Sequence, residues 1–222
     1  MKKIPYIIVL TISFLFISCQ SNGQSTKNEK NPLQNINPVE VPMVDGLDRA
    51  YFASGCFWCV EAIYESVKGV KESISGYSGG HTKNPTYQSS NTGRTGHAEA
   101  VEIYYDPNVV SFATLVDVYF GSQNPTQVNG QGPDHGSQYR SIIFYQNEEQ
   151  KKIIEQKKKA LGKKLNRKIA AEILPFQKFW IGEDYHQDYE KRNPYNPYIR
   201  NVSIPRLKRF QSKFPELIKK NH

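Results

Sequence analysis

The chain has 222 residues, with 29 lysines and arginines against 21 acidic residues and a formal net charge of +8. Its 38% hydrophobic and 23% charged residues are typical of a globular protein and exclude collagen-like or wholly disordered chains. Three cysteines are too few for a disulfide scaffold, and a chain of this length buries a sufficient core without one.

The first residues are typical of an export signal. Lys2 and Lys3 precede an apolar stretch over residues 4–17, which is shorter than the roughly 20 residues of a transmembrane helix. The stretch closes at Cys19 and resembles a bacterial lipoprotein signal, in which this cysteine becomes the lipidated first residue. An ordinary cleaved signal with an incidental cysteine is the alternative. We expect a signal peptide over 1–18 and a protein outside the cytoplasm, anchored by lipid to a bacterial membrane.

Residues 20–47 are rich in Asn, Gln, Ser and Pro and show almost no periodic apolar pattern. Such a composition indicates a flexible segment, so the lipidated Cys19 and the residues up to 47 are interpreted as a tether. One folded domain is expected over 48–205, and residues 206–222 are interpreted as a basic C-terminal tail.

Strand and helix patterns alternate along this domain. Strands are predicted at 50–53, 70–77, 101–105, 141–145 and 168–174, and helices at 57–67, 111–120 and 147–162. Ser111 and Asn147 are the predicted helix caps. The alternation indicates a single α/β or α+β domain. Two polar stretches, 78–97 and 121–138, are long for a compact domain and are expected to be ordered loops that build a site.

The positive residues cluster at 151–168 and after Arg206. The first cluster lies on the outer face of an amphipathic helix, which favours a solvated face, with weak attraction to a membrane surface as the alternative. No basic pattern interleaved with aromatic residues occurs, so we expect no nucleic-acid binding.

Chemistry is predicted at residues 55–59, which read Gly-Cys-Phe-Trp-Cys. Cys56 falls where a strand meets a helix, and a helix N-terminus lowers the pKa of a thiol. Gly55 permits a tight turn, while Phe57 and Trp58 can wall an apolar pocket. Cys59 follows one helical turn later, with Cβ atoms about 5–6 Å apart, so that a modest shift closes a disulfide.

Other interpretations of the two cysteines remain open at this point. They can be buried structural residues or part of general dithiol chemistry. A zinc site needs two more ligands, and no pair of histidines has zinc-finger spacing. Haem attachment is excluded because Val60 follows Cys59.

Segment 55–59 resembles the active-site signature of the A-type peptide methionine sulfoxide reductases. Segments 76–80, 84–87, 95–100 and 134–141 resemble further motifs of that family, in the family's order and spacing. The likeness covers about residues 48–190. It implies a compact two-layer α+β sandwich, in which a central mixed β-sheet is flanked by helices and long site-forming loops.

The resemblance also implies the roles of individual residues. Cys56 matches the nucleophile and Glu99 the acidic residue of the family. Tyr87 and Tyr139 match hydroxyl donors to the sulfoxide oxygen. The remaining matches form the substrate pocket: Phe57 and Trp58 as an apolar cage, and Asp134 on its polar side.

By the same resemblance, we expect an enzyme that reduces the S epimer of methionine sulfoxide, free or in proteins. We also expect a monomer, and the export signal makes exported proteins its expected substrates. The resemblance implies that the reductase holds no metal, flavin or nicotinamide. Because a protein outside the cytoplasm cannot use cytosolic thioredoxin directly, we expect an exported, thioredoxin-like external thiol as reductant, or electrons passed across the membrane. His97 and His186 are interpreted as structural residues. A general dithiol–disulfide oxidoreductase and a non-enzymatic surface lipoprotein are the alternative functions.

The sequence departs from the common family pattern in two places. Cys59 stands where the family usually has Gly, and the C-terminal cysteines that resolve the sulfenic acid in many members are absent after residue 195. The two departures explain each other if Cys59 is the resolving thiol. With Cys19 lipidated, Cys59 is the remaining intramolecular candidate.

Overall fold

A computed structural model describes residues 36–220. Strand-forming sequence gives eight strands: β1 Asp48–Ala53, β2 Val70–Ser78, β3 Ala98–Tyr105, β4 Gly130–Gln131, β5 Asp134–His135, β6 Ile142–Tyr145, β7 Glu172–Pro175 and β8 Phe179–Ile181. The helices are α1 Phe57–Glu65, α2 Tyr87–Asn91, α3 Phe112–Gly121, α4 Glu148–Leu165, α5 Tyr189–Arg192 and α6 Ile204–Lys213.

Six strands form one sheet in the order β7-β6-β1-β3-β2-β8. The β6–β7 pair is parallel and the other four pairs are antiparallel, so the sheet is mixed. The short strands β4 and β5 pair separately. The expected α+β fold with a mixed central sheet is confirmed.

The strand residues alternate between two apolar clusters, because successive side chains point to opposite faces of a sheet. From β1, Ala50 and Phe52 join the larger cluster with the helices, while Tyr51 and Ala53 join the smaller cluster on the other face. This alternation places the helices, and the start of α1 in particular, on one face of β1 and β3.

The predicted caps of α3 and α4 are confirmed. The Ser111 side chain accepts a hydrogen bond from the main chain of Thr114, and the Asn147 side chain accepts one from Gln150. Helix α4 ends at Leu165, beyond the predicted residue 162, because Asn166 adopts the left-handed conformation that terminates a helix.

Three local predictions differ from the structure. The strand predicted at 168–174 is shorter and shifted, since only Glu172–Pro175 pairs with β6. The polar stretches 78–97 and 121–138 contain α2 and the β4–β5 pair. Strand β8 and helix α6 were not predicted, and both pack on the domain.

Both ends of the folded unit extend beyond the predicted boundaries of 48 and 205. At one end, the Val39 N–H donates to the Phe176 carbonyl at 2.8 Å, so residues before 48 contact the domain. At the other, Leu207 and Phe210 are buried and Ile218 forms a bridge with Val67. The apolar face of α6 therefore belongs to the core, although its charged residues suggested a tail.

The predicted signal peptide and Cys19 lie outside the described residues. Across residues 36–220, none of the helices is both long enough and apolar enough to cross a membrane.

Candidate active site

The two thiols of the described region lie at the start of α1. The chain leaves β1 and turns at Gly55, whose φ is +74° and where a Cβ would lie 2.5 Å from Cβ of Gln131. Only glycine fits such a position without strain. The turn places Cys56 at the N-cap of α1 and Cys59 one helical turn further. Both are buried free cysteines, so the predicted pair is brought together in its reduced state.

The two thiols differ in their electrostatic surroundings. Burial raises the pKa of Cys56, contrary to the lowering expected from the helix N-terminus, because a buried thiolate loses its hydration. The hydrogen bond from the Cys56 thiol and the positive charge of Arg206 lower the pKa of Cys59. When the pair loses a proton, these surroundings favour the negative charge on Cys59 rather than on Cys56.

Glu99 lies beside the first turn of α1. Its Oε2 accepts a hydrogen bond from the Phe57 N–H at 3.0 Å, and the residue is only 2% exposed. Burial raises the pKa of Glu99 to about 8, so its carboxyl group carries a proton at neutral pH. A buried neutral carboxylic acid beside a thiol can protonate a substrate oxygen while sulfur is attacked.

Aromatic rings surround the start of α1. Phe57 is fully buried, and its ring centroid lies 4.7 Å from that of His186. The Trp58 indole N–H donates to Nδ1 of His186 at 3.1 Å, and Tyr189 stacks on the Trp58 ring at 3.7 Å. His186 and Tyr189 therefore fix the orientation of the indole, which gives His186 a structural role.

The two predicted tyrosines lie at the same site. Tyr87 opens α2 with its ring centroid 6.4 Å from that of Phe57, while the Tyr139 carbonyl accepts a hydrogen bond from the Gly55 N–H at 3.2 Å. Burial raises the pKa of both tyrosines, and nearby Glu99 contributes. Both hydroxyl groups therefore keep their protons and remain available as donors.

Asp134 contacts a residue that the sequence analysis missed. The Tyr198 hydroxyl group donates to Oδ2 of Asp134 at 2.6 Å, and its oxygen lies 3.7 Å from Sγ of Cys59. Tyr198 thereby connects Asp134 to the second thiol. No motif singles it out, since it is the last residue of a polar segment in which Asn-Pro-Tyr occurs twice.

Arg206 is the second residue that was missed. It is 7% exposed, and its guanidinium group donates to the Ser122 carbonyl and to both oxygens of Ser54 at 2.9–3.0 Å. All these acceptors are neutral, so the buried positive charge stays available to a nearby anion.

Within residues 36–220, side chains with the spacing of metal ligands occur at Glu61, Glu65 and Asp188, and neither thiol is among them. Lys191 contacts Glu65 at 2.6 Å and Asp188 at 2.9 Å. This ion-pair network accounts for the carboxylate cluster.

The fold and the site define a thiol oxidoreductase: two adjacent reduced cysteines at a helix N-terminus, a buried carboxylic acid and an aromatic enclosure. Comparison with known proteins gives the family. A family model described as peptide methionine sulfoxide reductase matches residues 48–218.

Individual relatives agree with this match. Peptide methionine sulfoxide reductase MsrA of Saccharolobus solfataricus is 45% identical over 173 residues, which are 78% of this chain and 98% of that protein. The protein of the same name from Pasteurella multocida is 47% identical over 171 residues, or 77% of this chain and 98% of that protein.

Solved structures show the same fold. Methionine sulfoxide reductase A of Corynebacterium diphtheriae superposes with a TM-score of 0.62 at 32% identity, covering 75% of this chain and 88% of that one. The reduced form of Mxr1 from Saccharomyces cerevisiae superposes with a TM-score of 0.66 at 31% identity, covering 72% and 93%. The chain belongs to the peptide methionine sulfoxide reductase family and is an oxidoreductase that reduces methionine sulfoxide.

Proposed function

We propose that the protein reduces the S epimer of methionine sulfoxide with Cys56 as nucleophile and Cys59 as resolving thiol. The placement of Cys56 at the N-cap of α1, with the buried Glu99 carboxyl group hydrogen-bonded to the next residue, carries this proposal. Because each sulfoxide epimer has its own type of reductase, the A-type motifs favour the S form.

In the first step the Cys56 sulfur attacks the sulfoxide sulfur. The Cys56 thiol loses its proton as its sulfur bonds to the substrate, and the Cys59 sulfur, which accepts its hydrogen bond, receives that proton. Glu99 supplies a proton to the sulfoxide oxygen, with the Tyr87 and Tyr139 hydroxyl groups as further donors. Oxygen is transferred to Cys56, methionine leaves, and Cys56 becomes a sulfenic acid.

In the second step Cys59 attacks the Cys56 sulfenic acid, releasing water and forming a disulfide. Cys59 must give up its proton again before it attacks. The Tyr198 oxygen, 3.7 Å from Cys59 Sγ and hydrogen-bonded to Asp134, provides a path for that proton. From the family resemblance, we assign the apolar contacts of the substrate methyl group to Phe57 and Trp58.

The site needs an external dithiol to return to its reduced state, and a thioredoxin-like protein has that chemistry. We further propose that the chain is exported, carries lipid on Cys19, and repairs oxidised proteins outside the cytoplasm as a monomer. The apolar stretch over 4–17 that closes at Cys19 supports this location. Cys19→Ala should release the protein from membranes, whereas wild-type protein in the cytosol with Met1 intact would contradict export.

Separate assays with each epimer test the substrate assignment, with dithiothreitol as reductant. We expect turnover of free and peptide-bound methionine S-sulfoxide only. Equal turnover of both epimers, or turnover of the R epimer alone, would contradict the proposal.

A further inference from the structure

A surface cavity of about 750 Å³ adjoins Cys59. It lies between the end of α3, the β4–β5 pair and α6, and Cys59 lines it whereas Cys56 does not. Glu99, Tyr87 and the aromatic residues around Phe57 are also outside its lining. Of the residues assigned to methionine sulfoxide, Asp134 alone lines the cavity, so the second thiol is approached there from a side that lacks Cys56, Glu99 and the two tyrosines.

The walls of this cavity carry more positive than negative charge. Arg206, Arg209 and Lys213 line it from α6, while Asp134 is its one carboxylate. Arg209 and Lys213 are exposed at the rim, and Arg206 is buried next to Cys59 with neutral hydrogen-bond partners. Such a distribution attracts an anionic group toward the sulfur and stabilises a thiolate there.

We propose that this cavity is the docking surface for the reductant, a dithiol protein whose reactive cysteine is surrounded by acidic residues. The inference rests on the proposed function, because it requires the Cys56–Cys59 disulfide. The partner's thiolate attacks Sγ of Cys59, a partner–Cys59 disulfide forms, and Cys56 leaves as a thiolate. The partner's second thiolate then attacks its own disulfide-bonded sulfur and releases the Cys59 thiolate. Two electrons pass from the partner dithiol to the enzyme disulfide, and two protons restore both enzyme thiols.

The buried cation fits this sequence of bonds. In the second exchange Cys59 is the leaving group, and it leaves faster because the charge of Arg206 stabilises its thiolate. The exposed pair Arg209 and Lys213 acts at longer range, by raising the rate of encounter with an acidic partner.

The test measures reduction of the preformed disulfide by a reduced, acidic bacterial thioredoxin in stopped flow. For the wild type, the second-order rate constant should fall at least about tenfold between about 10 mM and 1 M salt, since the Debye length shrinks from about 30 Å to 3 Å. The double variant Arg209→Glu, Lys213→Glu should be at least about tenfold slower at low salt, and its rate constant should no longer fall as salt is added, because its lining repels an acidic partner.

A matched control reverses two exposed charges on α4, Lys152→Glu and Lys163→Glu, and should stay within about twofold of the wild type. Reduction by uncharged dithiothreitol should be equal in all three proteins. The proposed docking surface would be overturned if thioredoxin reduced the disulfide of both double variants at the same rate. It would also be overturned if the Arg209→Glu, Lys213→Glu variant were slowed as much with dithiothreitol as with thioredoxin. Failure of the wild type to form the disulfide after methionine release would instead contradict the proposed function.

Discussion

The carboxyl group of Glu99 accepts the main-chain N–H of Phe57, the residue directly after Cys56, with Oε2 and N 3.0 Å apart. Strand β3 and helix α1 meet through this bond, which fixes an acid next to a thiol. Since the carboxyl group is buried, its pKa is raised to about 8. The same contact therefore sets both the position and the protonation state of the proposed general acid.

Glu99→Gln should slow single-turnover release of methionine by about 10²–10⁴-fold while leaving substrate affinity nearly unchanged, because the proton is needed in the transition state. The glutamine oxygen can still accept the Phe57 N–H. In the wild type, the acid form of Glu99 is present below about pH 8 and is lost above it. The rate of methionine release should therefore fall as the pH rises through about 8, and this decrease should be absent in Glu99→Gln. A loss smaller than about threefold would remove Glu99 from the acid role.

Substitution of each thiol should separate the two steps. Cys56→Ser should release no methionine. Cys59→Ser should release one equivalent per enzyme and then accumulate a sulfenic acid on Cys56, because the resolving step is lost. Its release should be slower near neutral pH, since Cys59 no longer takes the proton. Trapping with dimedone and mass analysis measure the intermediate. A complete disulfide cycle in Cys59→Ser would assign the resolving role to another thiol.

Tyr198→Phe should slow disulfide formation more than methionine release, because the lost hydroxyl group connects Cys59 to Asp134. Tyr189→Phe is the matched control. It keeps the stacking on Trp58 and removes a hydroxyl group that accepts a hydrogen bond from Asn196 at 3.3 Å. Rapid quench with separate assays of methionine and free thiol gives both rates. Equal slowing of the two steps in Tyr198→Phe would contradict a role confined to Cys59.

Stability should also depend on a carboxyl group away from the thiols. Glu61 is buried, accepts hydrogen bonds from Ser75 and Asp188, and has its pKa raised by burial from 4.5 to about 8. Because the folded state holds this proton more tightly, its contribution to stability is lost as the pH rises between these values. The melting temperature of Glu61→Gln should therefore fall less between pH 5 and pH 8 than that of the wild type. The exposed Glu155→Gln should follow the wild type, and an unchanged pH dependence in Glu61→Gln would contradict this assignment.

The sequence was informative where chemistry depends on neighbouring residues. Cys56 and Cys59 share one helix turn, so their proximity follows from spacing alone. Strand alternation also places Glu99 on the face of β3 that packs against the helices, since Val101 and Ile103 lie on that face and join the larger apolar cluster. The mixed sheet followed from the family resemblance.

The residues that were missed come from the C-terminal part of the chain. Tyr198 and Arg206 reach the thiols only through tertiary packing, which a local pattern does not encode. Helix α6 did carry a signal, since Leu207, Phe210 and Phe214 recur at helical spacing, but the surrounding lysines and arginines favoured a tail. The raised pKa of Cys56 was likewise unpredictable, because the extent of burial outweighs the helix N-terminus.

Mapping of the thiols after one turnover distinguishes this mechanism from a cycle that does not use the Cys56–Cys59 disulfide. Reduced enzyme is mixed with one equivalent of methionine S-sulfoxide, quenched with an alkylating agent, digested and analysed by mass spectrometry. We predict one Cys56–Cys59 disulfide for each methionine released, and no disulfide when Cys56 is replaced by serine. If methionine is released while Cys56 and Cys59 both remain free thiols that the alkylating agent modifies, the proposed mechanism is contradicted.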